Sequence, residues 1–358
     1  MIKYNFEYEK KVKVCFIGAG GHSFRNVYPT FQYAPIDLLA ICDMNEDRAR
    51  DYARQFGARN YYTNHHEMLE KERPDAVFIV TAYTSEGRVQ ATELAKDIMK
   101  AGAHVWMEKP TAASTDEIKQ LMSMSEEKNL LVMTGLKKIF FPSIEKVKEI
   151  MDTPAFGKPS SIYIRYPQSI PVLEERGDLT KMTGFLDHIF HPGSVLHYLM
   201  GPIRDFSYLR EPNNGGTVTN IRFTSGAVGT MHMTAGMSKT SPLERLEVIG
   251  EGSNVIVENG VKVTYYRELE SRNYGRSASY LWDNKSAPLY WEPEFSLGQL
   301  YNKNIFYLGY VQEVLHFCEA ILEEKPLEKG TLQESLEILK LFEAYCTAEQ
   351  GTLTTINE

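Results

Sequence analysis

Three side chains in this sequence have the types and spacing needed to take a proton from a hydroxyl group. Lys109 lies in Val105-Trp-Met-Glu-Lys-Pro110, at the end of a short apolar run. A strand ending there would carry its ammonium to the carboxyl edge of a parallel sheet, the edge at which such sheets bind ligands. Pro110 fixes its own φ and biases Lys109 towards an extended backbone, so the lysine is aimed rather than wound into a helix. Asp187 and His191 stand at i and i+4 in Gly184-Phe-Leu-Asp-His-Ile-Phe-His-Pro-Gly193. On a helix that spacing puts both side chains on one face, about 6 Å apart. A carboxylate and an imidazole beside a lysine can bind a hydroxyl and remove its proton while hydride leaves the carbon. Imidazole suits that transfer because it titrates near neutrality. The same spacing also serves plain surface pairs and capping contacts, so its meaning depends on what lies upstream. His188 and His197 fall off that face or further along it, in structural or substrate-rim positions.

Hydride needs an acceptor, and the N-terminal glycine turn offers a place for one. Gly18-Ala-Gly-Gly-His-Ser23 follows the apolar run Lys11–Ile17 and precedes a helix candidate. Gly18 permits a tight turn, and Gly20 lets the backbone approach a pyrophosphate at a helix N-terminus. Ser23 replaces the third glycine of G-x-G-x-x-G and an extra Gly21 precedes it, so strand and helix are expected slightly further apart. Asp43 ends the second strand, where a carboxylate accepts hydrogen bonds from the ribose hydroxyls of a bound dinucleotide. A 2′-phosphate would be repelled there, which favours NAD over NADP. Asp43 could instead cap a helix, a role for which Asn45 competes. Arg48 lies one turn on, facing solvent, and completes the expected cofactor set with His22, Thr81 and Glu108 along the same edge.

The elements that must position these groups alternate through the first third of the chain. Strands are expected at Lys11–Ile17, Asp37–Asp43, Pro74–Thr81, Ala103–Met107 and Leu130–Thr134. Helices are expected at Phe24–Tyr33, broken near Pro29 and Pro35, and at Asn45–Phe56, Gln90–Lys100 and Thr115–Lys128. Such alternation builds a doubly wound parallel sheet of Rossmann type. After Gly135 the texture changes. A helix over Pro142–Met151 and a half-buried strand at Ser161–Tyr166 lead to a helix over Gly184–Met200. Short strands follow from Asp205 to Tyr266, with hairpins signalled at Ser225-Gly226 and Asn259-Gly260. This second part reads as an α+β domain with a largely antiparallel, open-faced sheet against helices. The aromatic stretch Tyr274–Tyr307 has no clear period and reads as an extended loop. Helices over Gly309–Leu322 and Thr331–Gln350 finish the chain. The expected domains are residues 1–135 for the dinucleotide and 136–358 for substrate and oligomerisation.

The totals set bounds. At 358 residues the chain suits two domains. A formal charge of −8 argues against general nucleic-acid binding, and no apolar run approaches a membrane span. The four cysteines lack metal spacing, so no metal is expected, and Cys15 and Cys42 sit in apolar strands as small hydrophobes. With no apolar leader at its start, a cytoplasmic, reduced protein is the expectation.

The order Gly18-Ala-Gly-Gly, Asp43, Glu108-Lys109-Pro110 and Asp187-x-x-x-His191, with Gly201 closing the helix, resembles the glucose-fructose oxidoreductase / inositol dehydrogenase (Gfo/Idh/MocA) family. The resemblance covers nearly the whole chain, including the final Gly-Tyr-Val-Gln-Glu-Val-Leu-His-Phe helix. It implies that Lys109 contacts the reacting hydroxyl, His191 accepts its proton and Asp187 binds substrate beside them. It further implies a sugar, cyclitol or nucleotide-sugar substrate and a homodimer or homotetramer. Three departures stand out. Ser194 occupies the place of an acid. The loop Ala82–Arg88 is longer than usual and leaves Tyr83, Thr84 or Arg88 to take over a role. Lys137 stands at the domain junction, where it could hold a ligand hydroxyl or acid. Ser194, Lys137 and Tyr166 are therefore the substrate candidates, with Tyr163, Arg165, Gln168, Arg176, Trp282 and Trp291 as further options. The expected function is NAD-dependent dehydrogenation of a secondary alcohol on such a polyol. The rivals are an NAD-retaining lyase or glycosidase that oxidises its sugar transiently, and a non-catalytic sugar or dinucleotide sensor.

Overall fold

The computed structural model describes residues 2–268, 284–293 and 304–356. They form two compact units, one of residues 2–137, 179–190 and 309–340, the other of the described residues within 138–178, 191–308 and 341–356.

The first unit is built on six parallel strands: β1 (Val12–Ile17), β2 (Ile36–Cys42), β3 (Asn60–Tyr62), β4 (Ala76–Ile79), β5 (His104–Glu108) and β6 (Val132–Gly135). Their order in the sheet is β3-β2-β1-β4-β5-β6, the doubly wound arrangement, with the reversal of winding between β1 and β4. All but the exposed edge strand β3 are almost wholly buried, as expected of a parallel sheet covered on both faces. Phe16, Tyr28, Phe31, Phe78 and Trp106 pack ring against ring across it. Cys15 and Cys42 are buried in β1 and β2, where burial pushes both thiols up to about 12.

The helices obey local capping chemistry. In α1 (Glu46–Phe56) the Asn45 side chain accepts from Arg48 N, and Gly57 closes the helix at φ 75°. The cap therefore falls to Asn45 and leaves Asp43 free of that role. The helix α2 (His65–Glu72) and the strand β3 before it lie in a stretch where no element was expected, because three-residue strands and mixed-polarity helices carry little periodicity. The helices α3 (Gln90–Lys100) and α4 (Thr115–Lys128), and α5 (Pro142–Met151) of the second unit, have the expected bounds. The expected helix over Phe24–Tyr33 is a π segment, Ser23–Val27, followed by a 3-10 segment, Tyr28–Gln32. Pro29 lacks the N–H that would continue an α-helix there.

The second unit holds nine strands, of which β7 is Ser161–Tyr166, β8 Ile203–Arg210, β9 Thr217–Phe223, β10 Val228–Met233, β11 Arg245–Ile249, β12 Asn254–Glu258, β13 Lys262–Tyr266, β14 Leu289–Trp291 and β15 Thr354–Thr355. The order is β14-β13-β12-β11-β7-β10-β9-β8-β15. Every neighbouring pair is antiparallel except β7 with β10. Asn259 and Gly260, at φ 53° and 69°, turn the β12–β13 hairpin as their sequence predicts. In β9 burial alternates strictly, so one face is core and the other carries Val218, Asn220 and Arg222 outward. The aromatic stretch Tyr274–Tyr307 lies partly outside the described residues, Trp282 included. Within it, β14 pairs with β13, and Asn304–Tyr307 makes one helical turn, so the expected continuous loop is interrupted.

Three helices pass between the sequence halves differently from the expected division at residue 135. The helix α6 (Leu179–Met200) starts five residues before the expected Gly184, and its first half belongs to the first unit. The helix α7 (Tyr310–Leu322) also belongs there: it packs on β1, and its Phe317 ring meets Phe78 edge-on at 5.6 Å. A parallel sheet needs cover on both faces, and the chain returns to supply it. The helix α8 (Leu332–Thr347) contributes Ser335 to the first unit and Tyr345 to the second.

Candidate functional site

Where the winding reverses, the chain leaves β1 through Gly18 at φ 115°. A Cβ at Gly18 would lie 2.0 Å from the Val80 carbonyl oxygen, so no other residue fits this approach of two strand ends. At Gly20 and Gly21, by contrast, a Cβ would meet nothing within 4 Å. Ser23 is fully buried and knits the turn together: its hydroxyl donates towards the Gly18 and Gly20 carbonyls, at 3.1 and 2.8 Å, and lies 3.2 Å from Gly20 N. The hydroxyl thus does by hydrogen bonding what a third glycine does by close packing. Tyr52 adds a hydrogen bond to the Gly20 carbonyl.

Asp43 closes the far side of the turn. Its Oδ2 accepts from Ala19 N at 2.8 Å, and its Oδ1 accepts from Asn45 N and from Arg48 Nη2, both at 2.9 Å. Arg48 is therefore the partner of Asp43 while remaining half exposed, rather than a purely solvent-facing residue. Beyond β4, Thr81 buries its hydroxyl oxygen without a hydrogen-bond partner among the described residues.

The end of β5 carries a second cluster. Glu108 is buried, with Oε1 2.9 Å from His22 Nε2 and Oε2 accepting from Lys109 N. Burial alone would raise this carboxyl, but the His22 hydrogen bond and the charges of His22, Lys109 and Lys137 hold it below the usual range. Lys109, joined to Pro110 by a cis peptide, donates from Nζ to Asp187 Oδ1 at 2.9 Å. Its side chain is 10% exposed against 34% for Asp187, so a nearly dry ammonium meets a carboxylate that is still open. Tyr83 completes the group, its hydroxyl 3.5 Å from Asp187 Oδ1 and 3.4 Å from the Thr183 carbonyl. Burial, reinforced by the Asp187 charge, pushes this phenol far above its ordinary value, so it stays a hydrogen-bond donor. His188 lies 3.8 Å from Asp187. Burial holds its imidazole below the ordinary value, with the Lys109 charge acting in the same direction and Asp187 opposing.

His191 follows Asp187 by one turn of α6 and stands 5.7 Å, ring to ring, from the buried Tyr166. Lys137 donates to the Tyr310 hydroxyl at 2.9 Å, and that hydroxyl lies 3.4 Å from His22 Nε2. Some candidates are committed elsewhere. Ser194 is buried and gives its hydroxyl to the His191 carbonyl, a bond within the helix. Arg176 is buried among Pro171 O, Tyr208 OH and Tyr345 O, which makes it an internal tie rather than a ligand contact. Of the long loop, Thr84 holds the turn by accepting from Arg88 N, Arg88 points to solvent, and only Tyr83 reaches the cluster. Tyr310 and Glu313 were not anticipated. The available signal was a glutamate on the apolar stripe of α7, where Glu313 is fully buried.

Residues 12–136 match the model of the oxidoreductase family with an NAD-binding Rossmann fold, and this match, with the inositol dehydrogenase relatives, supports the resemblance to the Gfo/Idh/MocA family. The chain is 26% identical over 260 residues to myo-inositol 2-dehydrogenase of Thermotoga maritima, covering 68% of this chain and 74% of the relative. It is 30% identical over 129 residues to a glycosyl hydrolase family 109 protein of Akkermansia muciniphila, covering 32% of this chain and 25% of that one. Among solved structures, levoglucosan dehydrogenase in complex with NADH superposes with a TM-score of 0.78 at 17% identity, covering 98% of this chain and 100% of that one. Two features of this chain fit NAD in particular: the open space above Gly20 and Gly21, and the unsatisfied Thr81 hydroxyl beyond β4.

Proposed function

We propose that this protein is an NAD-dependent dehydrogenase of a secondary alcohol on a sugar, cyclitol or related polyol. The observation that carries the reading is the Lys109–Asp187 pair at 2.9 Å, placed beside the glycine turn by the Glu108–His22 contact. A lysine and a carboxylate held together at a sheet's carboxyl edge suit hydroxyl activation better than passive binding. Bound NAD supplies the hydride acceptor at its nicotinamide. Lys109 faces the reacting oxygen and favours its anionic form. Asp187 aims Lys109, accepts a second substrate hydroxyl and receives support from Tyr83. His191 takes the hydroxyl proton. Gly18, Gly20, Gly21, His22 and Ser23 hold the pyrophosphate segment, while Asp43, Arg48, Thr81 and Glu108 line the rest of the cofactor. Asp43 in particular disfavours a 2′-phosphate. Lys137 and Tyr166 remain substrate-side candidates.

The same reading makes the protein a cytoplasmic homodimer or homotetramer. Support comes from the outward face of the nine-stranded sheet, which exposes Leu209, Val218, Val228 and Ile249. No helix among the described residues is long and apolar enough to cross a membrane.

The test is NADH absorbance with purified protein, NAD and a panel of inositols, aldoses and nucleotide sugars. Reduction by one substrate class is the expected result. Silence across the panel, with NAD binding shown by thermal shift, would overturn the reading. The family 109 likeness favours one second reading, in which NAD is retained and a glycosidic bond is broken through transient oxidation. Release of a leaving group without net NADH would select it.

A further inference from the structure

We propose that His65, His66 and Asp97 form a binding site for a divalent transition metal of the zinc type, clipping the first turn of α2 to α3. The site stands apart from the dehydrogenase reading and does not depend on it.

His65 and His66 are the first two residues of α2. Asn64 fixes their backbone, its Oδ1 accepting from His66 N at 2.9 Å and Glu67 N at 3.3 Å. The two imidazoles lie 4.0 Å apart, centroid to centroid, and both turn Nε2 towards one oxygen. That oxygen is Asp97 Oδ2 on α3, 3.3 Å from His65 Nε2 and 3.7 Å from His66 Nε2. The three ligand atoms all fall within 4.8 Å of one another, and no other trio of His, Cys, Asp or Glu among the described residues meets that spacing.

The distances suit a tetrahedral ion. Zinc bonds of about 2.0–2.2 Å to nitrogen and oxygen place neighbouring ligands about 3.4 Å apart, and the two nitrogen-to-oxygen distances, 3.3 and 3.7 Å, fall close to that value. Asp97 is prepared for the role. Its other oxygen accepts from Lys100 Nζ at 3.0 Å, which orients the carboxylate and leaves Oδ2 to the imidazoles. His65 and Asp97 are about one-quarter exposed and His66 two-thirds exposed, which gives an ion a way in and leaves its fourth position to water. The ligand set of two imidazoles and one carboxylate selects zinc or a neighbouring first-row ion over calcium or magnesium, which prefer all-oxygen shells. The Lys100 ammonium opposes the incoming charge and weakens the site.

The experiment is a calorimetric titration of metal-stripped full-length protein with zinc sulfate. One saturable site per chain is expected, with a rise in melting temperature. His65→Ala and His66→Ala should each weaken binding about tenfold or more. Lys100→Gln should tighten it severalfold by removing the opposing charge. Cobalt loading should give visible ligand-field bands without the intense near-ultraviolet thiolate absorption that a cysteine site would show. Absence of a saturable site, undiminished binding in the His65→Ala/His66→Ala double variant, or a thiolate band would each overturn the proposal. NAD-linked turnover should be the same in all these variants, because none touches the Lys109 cluster.

Discussion

Replacing Lys109 with methionine keeps the length and apolar stem of the side chain and removes its charge. In the structure that charge is nearly desolvated, at 10% exposure, and sits on Asp187 at 2.9 Å. An ammonium facing a forming alkoxide at about 4 Å, in a medium of effective dielectric about 20, gains about 4 kcal/mol. Asp187 already neutralises part of the ammonium, so about 3 kcal/mol is a fairer figure for the loss. At 1.36 kcal/mol per decade this is a fall in kcat of about a hundredfold to several hundredfold. The assay is the initial rate of NADH formation with the best polyol of the panel, paired with NAD affinity by calorimetry. NAD affinity should hold, since the backbone N–H that Lys109 donates to Glu108 is kept in the methionine variant. Lys109→Arg should recover part of the rate, because it restores charge without the compact shape of an ammonium. A Lys109→Met enzyme within about tenfold of the parent would refute the electrostatic role assigned to this lysine.

Two further outcomes follow from the packing around the turn. Glu313 is wholly buried without a hydrogen-bond partner among the described residues, and burial, with the Glu108 charge, raises its carboxyl well above the ordinary value. The folded state therefore keeps a proton that the unfolded chain releases above about pH 4.3, so this residue's contribution to stability falls as pH rises. Glu313→Gln, neutral throughout, should match the parent's urea midpoint in acid and exceed it increasingly towards pH 8; parallel curves would contradict the assignment. Gly18→Ala should cost more than about 3 kcal/mol, because its methyl would strike the Val80 carbonyl and its φ is unfavourable to any side chain. Gly20→Ala, with space around it, should leave the urea midpoint unchanged and weaken NAD; equal stability losses in both variants would show that the turn is not discriminating in this way.

The parallel sheet was legible because β1, β2, β4 and β5 are continuous apolar runs bounded by turns, and a helix follows each with its own cap or stop. The pair of α2 and β3 escaped because Asn60-Tyr-Tyr is too short for a period and His65–Glu72 buries only Met68 and Leu69. Contact between Lys109 and Asp187 could be anticipated only as residue types awaiting a fold, since 78 positions separate them. Tyr83 was one of three options in its loop, and the competition was settled by burial, which no linear pattern records. The internal hydrogen bonds of Ser194 and Arg176, to backbone carbonyls and to the Tyr208 hydroxyl, are likewise invisible in a linear pattern. The two terminal helices were found by periodicity, but which sheet each would cover is a tertiary fact.

The return of the chain also fixes an order of events in the making of this molecule. Thr134 at the end of β6 donates its backbone N–H to the Gly330 carbonyl. Its hydroxyl closes a triangle with those of Thr111 and Ser335, all three buried. A nascent chain released from the ribosome one residue at a time would finish all six Rossmann strands long before residue 335 emerges. Until then the Thr134 amide lacks its acceptor, the Thr111–Thr134 hydroxyl pair lacks Ser335, and the Phe78 face lacks Phe317. The nucleotide-binding unit, although its strands are synthesised first, is therefore not complete until residues 309–340 have emerged. A truncated fragment of residues 1–135 would present an uncovered sheet face to chaperones and to other copies of itself.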